Sequence, residues 1–274
     1  MAVRSATINV MAAAMLKAAR VLNRDFGEIE ALQARPKGTA DFVQTSRRGV
    51  EQMLGRELKR ARADALLVLP ETEATSGPAN ERWLVDPLNG LLNFSHGLPL
   101  FAVSIAFERA GEVIAGAVYD PLRDQLFWAE KGLGAFVNDR RVRVSARRTL
   151  AEAVIASDWP AAADAAEARR EVEQRAAIAQ LAAGAREFGA PALGLAMVAA
   201  GRLDGYWSEG GQRCQLGAGE ILVREAGGFV GEAGHGVGAR NETRFIAANS
   251  YIHAALVAAL DQLRDGAAVL HNRL

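Results

Sequence analysis

The spacing of apolar and polar positions divides the chain into helical stretches at its two ends and a run of short strands between them. Near the N-terminus Ile8, Met11, Met15 and Leu16 recur at helical intervals with Lys17 interrupting, which predicts an amphipathic first helix rather than a secretory leader. Arg35-Pro36-Lys37-Gly38-Thr39 is a breaker, so that helix should stop near Ala34. Residues 41–46 read as extended or turn-like, and Val50, Met53, Leu54, Leu58 and Ala61 predict a second amphipathic helix over 47–62. Residues 65–69 are continuously apolar, the pattern of a buried strand, and they end at Pro70-Glu71-Thr72-Glu73. A polar loop over 74–81 leads to Trp83-Leu84-Val85, which delivers Asp86 to a turn with Pro87 and Gly90 ahead of a helix. Two carboxylates, Glu71 and Asp86, therefore stand at two strand ends.

Beyond residue 100 the period shortens. Strand-like runs at 101–107, 112–119, 125–130 and 135–144, separated by turn residues, predict an antiparallel sheet. A strand over 153–157 meets Asp158-Trp159-Pro160, a cap and proline suited to starting a helix over 161–183. A helix over 191–200, a strand over 203–208, a helix over 217–225 closed by Gly227-Gly228 and a last helix over 252–263 complete the chain. Strands and helices come in groups, which favours a layered α+β fold over an all-parallel one.

Composition narrows this further. Half of the 274 residues are hydrophobic, enough for a large core in a single domain over 1–274 with two closely joined halves, about 1–150 and 151–274. Lysine plus arginine equals aspartate plus glutamate at 32 each, so no global field draws the protein to nucleic acid or to a membrane. The single cysteine, Cys214, excludes an intrachain disulfide, and no apolar run is long enough to span a bilayer. A cytoplasmic protein is expected.

Several ordered blocks carry a resemblance that composition cannot. They are Trp83-Leu84-Val85-Asp86-Pro87-Leu88, Gly90, Asn93-Phe94, residues 101–107, Gly132-Leu133-Gly134-Ala135-Phe136, Gly201-Arg202-Leu203-Asp204-Gly205 and residues 222–228. Over most of its length the chain resembles the inositol monophosphatase family of magnesium-dependent, lithium-sensitive phosphomonoesterases. The resemblance implies a five-layer α/β/α/β/α sandwich and a homodimer.

It also implies a magnesium site that has lost ligands here. The family's Glu-Glu pair corresponds to Glu71-Thr72, with Glu73 one place beyond, and its motif aspartates to Asp86 and Asn89. The motif threonine corresponds to Leu91, the distant Trp-Asp to Cys214-Gln215, and an early aspartate to Arg47. Magnesium prefers charged oxygen ligands, and two dications about 4 Å apart need several carboxylates to hold them. Neither Arg47 nor Leu91 can accept a proton from water, so no competent catalytic residue is expected. Glu71, Asp86 and the Leu88 carbonyl remain as a vestigial metal set, with Asn89 and Gln215 offering neutral oxygens, and at most one weakly held magnesium ion is expected. On the substrate side a family glutamate corresponds to Ser208 and a polar pair to Ala190-Pro191. The backbone N–H groups of Gly90, Leu91 and Leu92 could still attract a phosphate or sulfate.

Bland alternatives stand beside these readings. Asp86 either caps its turn with Asn93 or keeps residual metal affinity. Arg47 is either a fixed cation in place of a metal, paired with Glu71 or Asp86, or a solvated helix-face residue. His96 reads as a loop residue, and Cys214 as a small buried filler or a thiol of lowered pKa beside Arg213. Gly231, Gly234, Gly236 and Gly238 read as a surface turn. The run Arg140-Arg141-Val142-Arg143-Val144, followed by Arg147-Arg148, is a solvated strand face or one partner surface, and the scattered tryptophans give no clear nucleic-acid signal. The expectation is an inactive pseudophosphatase that binds a ligand or an unknown protein partner as a scaffold, and the alternative is a weak magnesium-dependent phosphomonoesterase.

Overall fold

The apolar stripe of the N-terminal segment forms α1 (Ala6–Leu32), and the chain resumes as α2 (Pro36–Ala61), in a computed structural model that describes residues 4–32, 36–73, 77, 79–158, 165–233 and 244–264. Pro36 opens α2, where its fixed φ suits the first helical turn. Residues 41–46 are therefore helical, not extended. Val43 lies seven residues before Val50 on one buried stripe that continues through Leu54 and Leu58, and this outweighs the short polar run that suggested a turn.

The first sheet contains β1 (Leu66–Val68), β2 (Glu81–Asn89), β3 (Ala102–Arg109), β4 (Glu112–Asp120), β5 (Gln125–Glu130), β6 (Gly134–Val137) and β7 (Arg140–Val142) in that order. β1 runs parallel to β2, and each later strand pairs antiparallel with its neighbour. The single strand predicted over 135–144 is a hairpin. Asn138 takes a positive φ of 53° at its turn, and its side-chain oxygen accepts a hydrogen bond from Leu126 N at 2.9 Å.

The second sheet has the order β11-β12-β10-β8-β9, built from β8 (Val154–Asp158), β9 (Gly184–Glu187), β10 (Gly205–Glu209), β11 (Phe229–Ala233) and β12 (Arg244–Ala248). The hydrophobic pattern missed three of these. β9 is short and largely exposed, β11 follows two glycines and contains Gly231, and β12 is an apolar run too short to show a period. Gly231 thus lies in a strand, while Gly234, Gly236 and Gly238 lie outside the described residues.

Five further helices complete the architecture: α3 (Leu91–Ser95), α4 (Ala165–Leu181), α5 (Pro191–Ala199), α6 (Arg213–Glu225) and α7 (Ser250–Arg264). α1 and α2 pack Met11, Met15, Leu22 and Leu54 on Trp83, Phe107 and Trp128 of the first sheet. α5 and α6 fill the space between the sheets, with Leu193, Leu195 and Leu222 meeting Phe127 on one side and Tyr206 on the other. α4 and α7 cover the far face of the second sheet through Ile178, Ile252, Leu256 and Trp207. The result is the expected α/β/α/β/α stack. Burying each such side chain contributes about 1.5–3 kcal/mol, which is what fixes the layers. Among the described residues no helix is long and apolar enough to cross a membrane.

The central layer is tight. A Cβ added at Gly219 of α6 would stand 2.4 Å from the Leu195 Cβ of α5, so the absence of a side chain sets how closely the two helices approach. Gly219→Ala should lower the free energy of unfolding by about 1–3 kcal/mol, read as a drop in the urea midpoint with little change in slope. An unchanged midpoint would show that the two helices can part at no cost.

Candidate functional site

β2 does not stop at Asp86 but continues through Pro87 to Asn89. Asp86 pairs with Ser104 and Asn89 with Ala102, so Pro87 and Leu88 together oppose Val103 in a bulge. That extra residue brings Asp86 and Asn89 together. Asn89 Nδ2 donates to Asp86 Oδ2 at 2.8 Å, and Leu88 N donates to Asp86 Oδ1 at 3.2 Å. On its other side Asn89 Oδ1 accepts from Ala192 N of α5 at 3.0 Å. A carboxylate only accepts and an N–H only donates, so these two partners fix which way the amide points. The Asn89 oxygen expected among the neutral ligands faces α5, and an NH₂ faces Asp86.

Asp86 thus caps its own turn with Leu88 and Asn89, not with Asn93. Asn93 Nδ2 donates instead to Leu100 O at 2.7 Å and Phe188 O at 2.6 Å. Burial pushes Asp86 up to about 6, while the Asn89 and Leu88 hydrogen bonds and the charge of Arg47 pull the other way.

Arg47 lies inside α2 rather than at its start. Its largely buried guanidinium forms an ion pair with the exposed Glu71 and sends its field to Asp86. Glu73, the nearest replacement for the missing second glutamate, is engaged elsewhere. Its two oxygens accept from Arg213 N at 2.7 Å and Cys214 N at 2.9 Å, the first N–H groups of α6, where Gln212 supplies no side-chain cap. Gln212 Nε2 in turn donates to Pro70 O at 3.0 Å, which ties the end of β1 to this helix.

Cys214 is buried, and its thiol is pushed up by that burial and then by Glu73, so it is a filler and not a reactive thiolate. The Arg213 guanidinium reaches Glu108 Oε2 at 2.7 Å instead. Gln215 sits half-buried in the first turn of α6. Among the described residues no three histidine, cysteine, aspartate or glutamate side chains are grouped to hold a metal ion.

Gly90 opens α3 with a φ of 99°, and a Cβ there would lie 2.7 Å from Leu100 O. Leu91 packs into the core beneath α1 and α2, while Leu92 is exposed. His96 Nδ1 lies 3.0 Å from Ser95 Oγ and 2.9 Å from Leu92 O, which makes it part of a local turn.

The side of the site facing α5 holds two residues that pattern alone did not single out for function. Asp158, expected as a cap for the following helix, sits at the end of β8 and accepts from Gly189 N at 2.6 Å, with the Ala190 N–H also directed at it. The buried phenol of Tyr206 on β10 stands beside it. Ser208 Oγ donates to Gly210 O at 2.8 Å. Asp158 therefore holds the turn before α5 at Gly189, Pro191 has no N–H, and Asn89 covers Ala192. The available signal was a carboxylate at a strand terminus, the same signal that drew attention to Asp86.

Burial pushes Asp158 up to about 7, with Glu187 adding to it against the hydrogen bond of Gly189. A carboxyl raised in the fold is more protonated folded than unfolded, so its contribution is present below the ordinary value near 3.8 and lost as pH rises through about 7. Stability should fall between pH 4 and pH 8, and Asp158→Asn should remove the part that sets in near pH 7, leaving that of Asp86 near pH 6, and gain about 1–3 kcal/mol at pH 8. Urea titrations across this range in both proteins measure the difference, and a pH dependence unchanged in the variant would locate the effect elsewhere.

The model of the inositol monophosphatase family matches residues 3–265. An inositol-1-monophosphatase of Mesorhizobium japonicum is 43% identical over 94% of this chain and 97% of its own. Nus factor SuhB of Escherichia coli K12 is 33% identical over 94% and 97%. The crystal structure of extragenic suppressor protein suhB from Bartonella henselae superposes with a TM-score of 0.80 at 40% identity, covering 94% of this chain and all of that one. The chain belongs to the inositol monophosphatase family.

Proposed function

We propose that this chain is a catalytically silent member of its family that acts by binding, with the former active site serving as a structural joint. The Asn89 amide carries this reading. It places a donor against Asp86 where the resemblance implies a second carboxylate, and it spends its oxygen on α5. Arg47 supports it, since a guanidinium held on Glu71 puts a fixed positive charge beside Asp86 where a dication would add another.

Glu71, Glu73 and Asp86 are each engaged by groups of the protein, and this donor set does not fit the two magnesium ions of the family. Neither Leu91 nor Arg47 can take a proton from an attacking water. Five relatives carry the name Nus factor SuhB, which states no phosphatase activity, and a homodimer is the form the resemblance favours. The relatives at 43% and 42% named inositol-1-monophosphatase favour the second reading, a weak phosphatase using a single ion.

The two readings separate on one assay. With inositol monophosphate and magnesium the protein should release no phosphate above the buffer rate, and calorimetric titration with magnesium should give no binding heat. The combined substitutions Arg47→Asp, Asn89→Asp, Leu91→Thr and Gln215→Asp should raise magnesium-dependent release by a factor on the order of 10² or more. Magnesium-dependent release by the unsubstituted protein that disappears in Asp86→Ala would establish the weak phosphatase instead.

A further inference from the structure

We propose that the arginine ledge from Arg140 to Arg148, together with Tyr251 of α7, is a binding surface for single-stranded nucleic acid. It lies at the opposite end of the seven-stranded sheet from β1 and β2, so the inference does not depend on whether the Asp86 site is silent. Five of nine consecutive residues here are arginine and none is lysine, in a chain whose charges balance overall. All five are exposed.

Their lack of partners is the first observation. Arg147 pairs with the buried Asp204 at 2.9 Å, but Arg140, Arg141, Arg143 and Arg148 have no carboxylate partner among the described residues. Elsewhere Arg47, Arg62, Arg109, Arg213 and Arg244 each find one, while the exposed Arg20, Arg48, Arg56 and Arg60 of α1 and α2 have none among the described residues, so it is the clustering that sets the ledge apart. Arg202 lies close enough to Arg140 for the two like charges to oppose each other. The nearby carboxylates are engaged. Glu152 holds the Thr149 hydroxyl, Asp139 pairs with Arg4, and Glu225 accepts from Gly132 N and Gly134 N. Glu152 and Glu225 keep their charge on neutral donors, so five guanidinium groups stand against Asp204 and these two carboxylates and the ledge keeps a positive excess.

The ledge is also held in shape. Although 143–148 form no strand, Val144 N donates to Ala226 O at 3.1 Å. Asn249 Nδ2 donates to Ser145 O at 2.9 Å and to Arg147 O at 2.8 Å. The oxygen of the same side chain accepts from Tyr251 N and Ile252 N, each at 3.0 Å, and so caps α7. One asparagine thus fixes the arginines relative to the start of a 15-residue helix, and little ordering remains to oppose binding.

The aromatic group decides between partners. The Arg148 guanidinium lies 5.0 Å from the centroid of the Tyr251 ring, and Tyr251 is 53% exposed; Arg148 also lines, with Ala146, Arg147 and Glu152, an open hollow of about 650 Å³. Guanidinium groups bind phosphates and carboxylates alike, but a flat, exposed ring stacked with an arginine offers a face to an unstacked base, which an acidic peptide does not use.

Fluorescence anisotropy with a fluorescein-labelled polyuridine of about 20 nucleotides and the full-length protein tests this from about 50 to about 200 mM salt. Binding is expected with a log–log salt slope near −3, as four to five phosphate contacts at about 0.7 each would give. The double variant Arg143→Glu, Arg148→Glu should weaken binding at least about tenfold and flatten the slope by about 1.4. Tyr251→Ala should weaken binding at an unchanged slope. Asp86→Ala, and the charge reversal Arg20→Glu on the exposed face of α1, should leave it unaltered. No binding at the lowest salt, equal losses in Arg20→Glu and in the double variant, or displacement of the RNA by a polyglutamate peptide at equal charge concentration would each overturn the proposal.

Discussion

The contact on which this centre depends is the buried amide of Asn89. It joins a carboxylate on β2 to a backbone N–H at the start of α5, and so links the first sheet to the helical layer that separates it from the second. A buried carboxylate left alone would be strongly disfavoured, and a buried helix start without acceptors would leave N–H groups unpaired. One neutral side chain answers both needs. An aspartate at that position could accept from Ala192 but would set a second charge against Asp86.

The same economy recurs around the site. Glu73 caps α6, Asp158 covers the turn into α5, and Arg47 balances Glu71. Glu71, Glu73 and Asp158 are each held by a partner from another part of the chain, so their polarity holds layers together, while Asp86 is held within β2. Asp158 and Tyr206 extend the pattern to the second sheet, where a carboxyl raised by burial and a buried phenol stand side by side.

Much of this was legible in the chain. The strands from residue 101 to 130 follow a period of two between clear turns, and the buried stripe of α1 shows in Ile8, Met11 and Met15. The five-layer order came from the ordered motif blocks, because periodicity places elements along the chain and not beside one another. What stayed hidden has local causes. β12 is a short apolar run with no period, β9 carries no buried face, and the start of α2 was obscured by polar residues around Val43. At the centre, the loss of carboxylates could be read from residue identity, but not the direction of the Asn89 amide. That direction depends on Ala192, more than a hundred positions away. The engagement of Glu73 by α6 was equally invisible, since its partners are 140 and 141 residues distant.

The capping of α6 by Glu73 bears on how freely this centre can change. A glutamate drawn away from the helix would expose two N–H groups, just as an aspartate placed at 89 would strip Asp86 of its donor. These polar positions are therefore not independent of one another. A single substitution at any of them meets an occupied partner and lowers stability first, which couples the chemistry of the centre to the packing of α5 and α6 and makes its residues change together or not at all.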